Sequence, residues 1–306
     1  MKIRESVTDL IGGTPLLRLK KMEKLFKAKG EITGKLESFN PAGSVKDRVG
    51  FNMIIEAEKS GRLKPGGTII EPTSGNTGVG IAMTAAARGY RAIMVMPESM
   101  SIERRKLLKA LGAELVLTPR EKGMQGSVDK AAELAGETEG SIIAGQFENP
   151  ANPQAHYMTT GPEIWADTDG KVDIFVSAFG TGGTLSGAGK FLKEKNPDIR
   201  IVAVEPAASP LLSQGKAGPH KIQGIGANFI PDVLDRELID EIITVEDDKA
   251  FETMKALAAE EGVLAGISSG AALYGAGIVA AREENRGKRI VVILPDTGER
   301  YLSALD

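Results

Sequence analysis

The chain contains no cysteine and only two histidines, and these shortages exclude several kinds of chemistry. Without cysteine there can be no disulfide, no thiolate metal site and no cysteine nucleophile. His156 and His220 are too far apart in the sequence to form a typical zinc-binding pair, so we predict structural roles for both and no metal site. Any covalent chemistry must therefore use lysine, serine, threonine or a bound cofactor.

Basic charge and long hydrophobic runs are also missing. The 306 residues carry a formal net charge of −3 at pH 7, which argues against binding to nucleic acid or to an anionic membrane surface. Residues 1–15 hold no apolar stretch of the length that a signal peptide needs, and no run of about eighteen apolar residues occurs elsewhere. We therefore predict a soluble, cytoplasmic protein, and the length indicates one or two domains.

Short β-branched runs alternate with alanine-rich helical stretches along most of the chain. The predicted strands are residues 31–38, 68–71, 92–96, 114–117, 174–178, 201–204 and 289–294. The predicted helices include residues 80–88, 102–111, 185–195 and 249–261. Because most of these strands are apolar at nearly every position, they indicate parallel sheets that helices cover on both faces. The alternation restarts after residues 146–153, so we predict an α/β protein of two domains with an active-site cleft between them.

Lys46 lies in the most informative segment, Asn40-Pro41-Ala42-Gly43-Ser44-Val45-Lys46-Asp47-Arg48. Asn-Pro and Gly predict a turn, apolar residues at 45, 49 and 53 predict a helix after it, and Ser44 can cap that helix. A lysine in the first turn opposes the helix dipole, which favours anions there. Partial desolvation in that field favours the neutral amine, which forms imines with aldehydes. Lys46 is therefore a candidate catalytic residue, and a solvated Lys-Asp-Arg cluster is the alternative.

Three loops rich in glycine, serine and threonine are each predicted to follow a strand and open a helix. They are residues 73–78 (Thr-Ser-Gly-Asn-Thr-Gly), 180–184 (Gly-Thr-Gly-Gly-Thr) and 266–270 (Gly-Ile-Ser-Ser-Gly). Free N–H groups and hydroxyls at a helix start form an anion site. The second loop suits a compact phosphate, although it matches neither the Walker A nor the dinucleotide fingerprint, and the uncharged first loop suits a carboxylate. Helix capping alone is the alternative for each loop.

With these segments in this order, the chain resembles the cysteine synthases (O-acetylserine sulfhydrylases). They are a β-replacement family of pyridoxal-phosphate enzymes with the tryptophan-synthase-β type of fold. The resemblance runs from Ile11-Gly12-Gly13-Thr14-Pro15-Leu16 to Pro295-Asp296-Thr297-Gly298-Glu299-Arg300-Tyr301-Leu302-Ser303. It implies a fold type II enzyme with two domains, each a mostly parallel twisted sheet flanked by helices. Residues 38–148 would form a smaller, mobile domain that binds the substrate carboxylate, and residues 1–37 and 149–306 a larger domain that holds the cofactor phosphate.

The resemblance also implies roles for individual residues. Lys46 corresponds to the lysine that binds pyridoxal 5'-phosphate covalently, and it would serve as general base and acid. The substrate carboxylate would be bound by Thr73, Ser74, Asn76, Thr77 and Gln146, with Asn76 also contacting the phenolic oxygen of the cofactor. The cofactor phosphate would be bound by Gly180, Thr181, Gly182, Gly183 and Thr184, and the pyridine nitrogen by Ser268 or Ser269. Residues 146–150 and 221–227 would line the active-site wall.

The implied reaction converts O-acetyl-L-serine and sulfide to L-cysteine and acetate by β-replacement, through an aminoacrylate. A serine hydroxyl cannot keep the pyridine nitrogen protonated, which favours loss of the β-substituent. The implied partners are a second copy of the chain, in a homodimer, and the C-terminal tail of serine acetyltransferase. Cystathionine synthase, a serine or threonine dehydratase, threonine synthase and a purely binding role are the alternatives. The choice between O-acetylserine and O-phosphoserine as donor stays open.

Overall fold

Parallel strands joined by helices make up both parts of the structure. The computed structural model describes residues 3–73 and 75–304. The chain divides into two units, of which the first comprises Met1–Ile11 and Asn40–Asn152 and the second Gly12–Phe39 and Pro153–Asp306. The assignment of substrate binding to a mobile domain of residues 38–148, and of phosphate binding to the rest, stays a prediction.

Strands and helices alternate in sequence order among the described residues. The strands are β1 (Leu16–Arg18), β2 (Glu31–Leu36), β3 (Thr68–Pro72), β4 (Arg91–Pro97), β5 (Glu114–Thr118), β6 (Ser141–Ile143), β7 (Ile174–Ala178), β8 (Arg200–Pro206), β9 (Glu241–Val245) and β10 (Arg289–Leu294). The α-helices are α1 (Lys20–Leu25), α2 (Lys46–Lys59), α3 (Asn76–Arg88), α4 (Ile102–Ala110), α5 (Gly123–Glu137), α6 (Ala151–Ala155), α7 (Gly161–Asp167), α8 (Gly183–Lys195), α9 (Leu211–Gln214), α10 (Asp247–Glu261) and α11 (Ile267–Ala280). A π-helical turn, His156–Thr160, joins α6 to α7. Short 3-10 helices lie at Val7–Leu10, Glu37–Phe39, Arg120–Lys122, Arg236–Leu238, Glu283–Asn285 and Gly298–Ala304.

The first unit is built on a four-stranded sheet with the order β5-β4-β3-β6, and all its neighbouring strands are parallel. Alternate residues of the central strands point to opposite faces. On one face Ile69 and Met94 pack in a buried cluster with residues of α2 and α3, and on the other Ile70 packs with Ala131 of α5. Helices therefore cover the sheet on both faces, as the apolar strands predict.

The second unit is built on a six-stranded sheet with the order β1-β2-β10-β7-β8-β9, in which only β1 pairs antiparallel among the described strands. One face packs against α10 and α11 through residues such as Val204 and Leu273. The other face packs against α7 and α8 through residues such as Phe175 and Leu185. The predicted fold class, an α/β protein with two mostly parallel sheets flanked by helices, is confirmed.

Most differences from the predicted elements are small. The seven strands predicted from β-branched runs are all present, although β2 ends at Leu36 and a 3-10 turn replaces the predicted extension to residue 38. The pattern did not predict β1, β6 and β9, because β1 and β6 have three residues each and all three are edge strands. No helix among the described residues is both long and apolar enough to cross a membrane.

Candidate active site

Lys46 is the first residue of α2, within the first helical turn where we predicted it. The N-cap position is occupied by Val45, so Ser44 is not the cap in the usual sense. Its hydroxyl nevertheless accepts a hydrogen bond from the backbone N–H of Lys46 at 3.2 Å. The buried carboxylate of Asp47 accepts a second bond from the N–H of Ala42 at 2.6 Å. These two bonds fix the turn before the helix, and the side chain of Lys46 is half-buried at its start.

Two glycines bring the start of α3 against the start of α2. A Cβ atom at Gly80 would lie 2.5 Å from the carbonyl oxygen of Lys46, and one at Gly50 would lie 2.7 Å from the carbonyl carbon of Gly80. Such distances are impossible for real Cβ atoms, so only glycine permits this contact of two backbones. Asn76, the first residue of α3, lies one turn before Gly80. The structure therefore brings Lys46 close to the helix that carries Asn76 and Thr77.

The predicted carboxylate loop connects β3 to α3. Thr73 and Thr77 are buried, and the hydroxyl of Thr73 accepts a hydrogen bond from the N–H of Gly75 at 3.1 Å. The hydroxyl of Thr77 donates to Oε1 of Gln146 at 2.5 Å, across 69 residues of sequence. Ser74, which we assigned to the same site, lies outside the described residues. Thr77 and Gln146 thus form a hydrogen-bonded pair without formal charge, on the loop that also carries the buried Thr73.

Glu71 lies beside this pair, and the sequence analysis did not identify it. Its carboxylate is buried in β3 and accepts hydrogen bonds from the N–H of Gly145 at 2.9 Å and from the N–H of Gln146 at 3.5 Å. Burial raises the pKa of Glu71 to about 7, although hydrogen bonds from Gly145 and Gln146 act in the opposite direction. The negative charge of Glu148 makes a smaller contribution to the same rise. No local pattern indicates this role, because the bonded residues lie 74 and 75 positions away.

In the second unit the predicted phosphate loop connects β7 to α8. α8 begins at Gly183, and Gly182 has a φ angle of +85° at the N-cap position. A Cβ atom at Gly180 would lie 2.6 Å from the carbonyl oxygen of Gly224, so the two backbones touch. Thr181 is buried, and its hydroxyl lies 3.4 Å from the N–H of Gly183. A helix start with a closely approaching glycine backbone is suited to bind a phosphate.

His156 contacts this loop, whereas we predicted only a structural role for it. The ring is fully buried in the π-helical turn. Its Nδ1 lies 2.9 Å from the hydroxyl of Thr160, and its Nε2 lies 3.3 Å from the hydroxyl of Thr184. The ring therefore supports Thr184, the last residue of the predicted phosphate loop. No paired carboxylate or recognisable spacing in the sequence marks this contact.

The third predicted loop opens α11, but the strand predicted before it is absent. The chain reaches the loop from α10, and Ala265 forms only an isolated bridge with Thr297. Ser268, the second residue of α11, lies beside the segment that contacts Gly180, since a Cβ atom at Gly224 would be 3.9 Å from its hydroxyl oxygen. Ser269 is fully buried, and its hydroxyl has no hydrogen-bond partner among the described residues.

Comparison with known proteins identifies the family. Residues 7–296 match the family described as "Pyridoxal-phosphate dependent enzyme". The chain belongs to the pyridoxal-phosphate dependent enzymes. Its cofactor is therefore pyridoxal phosphate, and the predictions of an enzyme and of this cofactor are confirmed.

Similar proteins within the pyridoxal-phosphate dependent enzymes have related names. A protein named Cysteine synthase from Staphylococcus aureus (strain Mu50) is 54% identical over 300 residues, which make up 98% of this chain and 96% of that protein. The crystal structure of cysteine synthase (OASS) from Entamoeba histolytica has a TM-score of 0.96 and 48% identity, over 99% of this chain and 90% of that one. The crystal structure of O-ureido-L-serine synthase has a TM-score of 0.94 and 48% identity, over 98% of this chain and 94% of that one.

The residues of this pyridoxal-phosphate dependent enzyme fit its cofactor. The backbones of Gly180 and Gly224 touch, which excludes any larger side chain at Gly180, and α8 begins three residues further on. A phosphate dianion matches the backbone N–H groups and the positive end of the dipole there. Lys46, half-buried at the start of α2, is suited to react with an aldehyde. These residues suit the phosphate and aldehyde of the cofactor, although their individual roles stay predictions.

The two serines of α11 differ in a way that an experiment can test. We expect Ser268→Ala to change the visible absorption spectrum of the pyridoxal-phosphate dependent enzyme and to lower kcat roughly tenfold, because one hydrogen bond to the ring is lost. Ser269→Ala removes a buried hydroxyl without a described partner, so it should leave the spectrum unchanged and leave the melting temperature unchanged or higher. A spectral change in Ser269→Ala alone would instead assign the ring contact to Ser269.

Proposed function

We propose that this enzyme is a cysteine synthase, which converts O-acetyl-L-serine and sulfide to L-cysteine and acetate. The observation that carries the proposal is the buried, uncharged pair of Thr77 and Gln146, in a chain whose relative of 54% identity is named Cysteine synthase. Hydroxyl and amide groups suit one carboxylate, such as that of an amino-acid substrate. Homocysteine would bring a second carboxylate and a second ammonium group, and we assign no residue to bind them.

The chain's own groups divide the work of this reaction. Pyridoxal phosphate, when bound, supplies an electron sink for the amino-acid substrate. Lys46 removes the α-proton of O-acetylserine and later returns it to the product, as general base and then general acid. Thr73, Ser74, Asn76, Thr77 and Gln146 bind the substrate carboxylate, and Asn76 also contacts the phenolic oxygen of the cofactor. Binding of the carboxylate orients the Cα–H bond of the substrate towards the amine of Lys46.

The remaining groups hold the cofactor and set the outcome. Gly180, Thr181, Gly182, Gly183 and Thr184 bind the phosphate, with Thr184 supported by His156 at 3.3 Å. Ser268 offers the pyridine nitrogen a neutral hydroxyl instead of a carboxylate. A neutral partner does not hold a proton on that nitrogen, which favours prompt departure of acetate from the β-carbon. The site is then ready for sulfide, which is small and needs no binding residue of its own.

The kinetic order tests the proposed reaction. Because acetate leaves before sulfide arrives, we expect ping-pong kinetics with O-acetylserine and sulfide. O-acetylserine alone should shift the visible absorption to longer wavelength, and sulfide should restore the original spectrum. Rapid release of pyruvate from serine would indicate a dehydratase. Faster turnover with homocysteine and serine, or with hydroxyurea in place of sulfide, would show that the chain has a different β-replacement activity.

We also propose a homodimer that works in the cytoplasm and binds the C-terminal tail of serine acetyltransferase. Both assemblies are what the resemblance to the cysteine synthases implies. Sedimentation of the purified protein and titration with the C-terminal peptide of serine acetyltransferase would test the two assemblies separately.

A further inference from the structure

Glu71 occupies the point where the backbone pairing of β3 with β6 ends. The parallel pairing joins Thr68–Ile70 to Ser141–Ile143, and the N–H of Ala144 still donates to the carbonyl of Ile70 at 3.1 Å. The next two N–H groups, of Gly145 and Gln146, turn to the carboxylate of Glu71, at 2.9 and 3.5 Å. The carboxylate of Glu71, instead of a backbone carbonyl of β3, therefore accepts the hydrogen bonds of the segment that contains Gln146.

Gln146 is held from several sides. Its N–H and its side-chain amide both donate to Glu71. Its Oε1 accepts from Thr77 at 2.5 Å, and its carbonyl oxygen accepts from the side chain of Asn152 at 2.7 Å. With the oxygen bound to Thr77 and the –NH₂ group directed by Glu71, the amide has one defined orientation. Its second N–H can then be offered to a substrate carboxylate.

We propose that Glu71 is a positioning residue, which orients Gln146 for the substrate carboxylate when it is ionised and releases Gln146 when it is protonated. The proposal rests on the proposed function, because it assigns Gln146 to the carboxylate of O-acetylserine. Glu71 is buried and its carboxylate accepts from Gly145 and Gln146, so we assign it no direct contact with the substrate.

The protonation state of Glu71 changes near neutral pH. Burial, with a smaller contribution from the charge of Glu148 on the same connection as Gln146, raises its pKa from 4.5 to about 7. The side chain shares its face of β3 with Ile69 and lies beside Met94 of β4, where the cluster formed with α2 and α3 is apolar. Above pH 7 the carboxylate accepts from every neighbouring N–H, whereas below it one oxygen carries a proton and must donate. The hydrogen bonding that orients Gln146 therefore weakens as the pH falls through about 7.

The raised pKa of Glu71 also makes folding stability depend on pH. Stability falls as the pH rises, whereas the orientation of Gln146 becomes tighter. Between pH 4.5 and about 7 the folded protein keeps a proton on Glu71 that the unfolded chain has already lost. The unfolded state binds fewer protons in this window, so the free energy of unfolding falls as the pH rises. Tighter orientation of Gln146 at high pH thus comes with lower stability.

Glu71→Gln is the decisive variant, because its amide imitates the protonated carboxyl at every pH. In the holoenzyme we expect KM for O-acetylserine to be roughly tenfold higher than in the unchanged protein above pH 8, from the loss of a charged hydrogen-bond acceptor. The ratio of the two KM values should fall towards one as the pH falls below about 6, while kcat of the two proteins stays within about twofold. Because both proteins receive the same substrate at each pH, titration of O-acetylserine affects both KM values equally and cancels in their ratio.

Amide hydrogen exchange supplies a readout that needs no activity. We expect the N–H groups of Gly145 and Gln146 to exchange faster in Glu71→Gln than in the unchanged holoenzyme at pH 8. Glu205→Gln is the matched control, since Glu205 is also a buried glutamate before a proline at a strand end. It accepts from the N–H of Leu212 at 2.7 Å and of Ser213 at 3.0 Å. Its replacement should speed exchange at those two residues and leave Gly145 and Gln146 unchanged.

A second variant covers the case in which Glu71→Gln fails to fold. Glu148→Gln keeps Glu71 and removes the exposed charge that raises its pKa, so the rise of KM should move to lower pH. Equal KM values for Glu71→Gln and the unchanged protein at every pH, with unchanged exchange at Gly145 and Gln146, would overturn the positioning role. An unmoved midpoint in Glu148→Gln would also overturn it. Absence of any turnover of O-acetylserine by the unchanged protein, with the exchange differences intact, would count against the proposed function alone.

Discussion

Replacement of Lys46 by alanine is expected to lower kcat by about a thousandfold or more, because in the proposed function this side chain both binds the cofactor and moves the α-proton. Borohydride reduction followed by peptide mapping should place the pyridoxyl group on Lys46 in the unchanged protein and on no peptide of the variant. The fold should survive, since alanine is a good helix former and the turn is closed by the bonds of Ser44 and Asp47.

Lys20→Ala is the matched control for this experiment. Lys20 is likewise the first residue of a helix, α1, but its side chain is exposed. Its replacement should leave the spectrum, the labelled peptide and kcat unchanged. A pyridoxyl group found on any lysine other than Lys46 would show that the site has been assigned to the wrong residue.

Gly183→Asp is expected to cause the second large effect, loss of the cofactor. Gly183 is the buried first residue of α8, where the phosphate would bind. Two like charges about 4 Å apart repel by about 4 kcal/mol at an effective dielectric constant of about 20. Affinity for pyridoxal phosphate should therefore fall by on the order of a thousandfold. Absorbance of the retained cofactor after dialysis measures this loss, and far-UV circular dichroism checks that the fold persists.

Gly183→Asn separates charge from bulk, because asparagine has nearly the same shape as aspartate without the negative charge. We expect the asparagine variant to retain clearly more cofactor than the aspartate variant. Equal loss in both variants would mean that side-chain volume decides, and full retention by Gly183→Asp would place the phosphate elsewhere.

The sequence indicates the fold well where a local pattern is strong. Strands such as β7 and β10 are mostly apolar, and the predicted bounds match those of the structure, 174–178 and 289–294. The start of α2 near Lys46 is predicted by the Asn-Pro-x-Gly-Ser turn together with the apolar residues at 45, 49 and 53, although Val45 and not Ser44 occupies the N-cap. The edge strands β1, β6 and β9 escape prediction because their existence depends on pairing with distant residues, as in the register of Leu16 with Lys35.

The same distinction applies to the candidate site. Loops that open helices at Asn76, Gly183 and Ile267 can be recognised from composition, since glycine and hydroxyl residues are what an anion site needs. Their supporting residues cannot be recognised in this way. The bond between Thr77 and Gln146 spans 69 positions, and the contact between His156 and Thr184 spans 28. Only the folded chain brings these residues together, and the assignments of function to them stay predictions.

The glycine contact between α2 and α3 limits how this enzyme can be engineered for heat resistance. Replacing a helix glycine by alanine commonly stabilises a protein by roughly 0.4–1 kcal/mol, because the unfolded chain loses freedom. At Gly136, an exposed position of α5 with open space around it, that gain is available. At Gly50 and Gly80 a methyl group would force apart the two helices that carry Lys46 and Asn76. A library of glycine-to-alanine variants should therefore include exposed helix positions such as Gly136 and leave Gly50 and Gly80 unchanged.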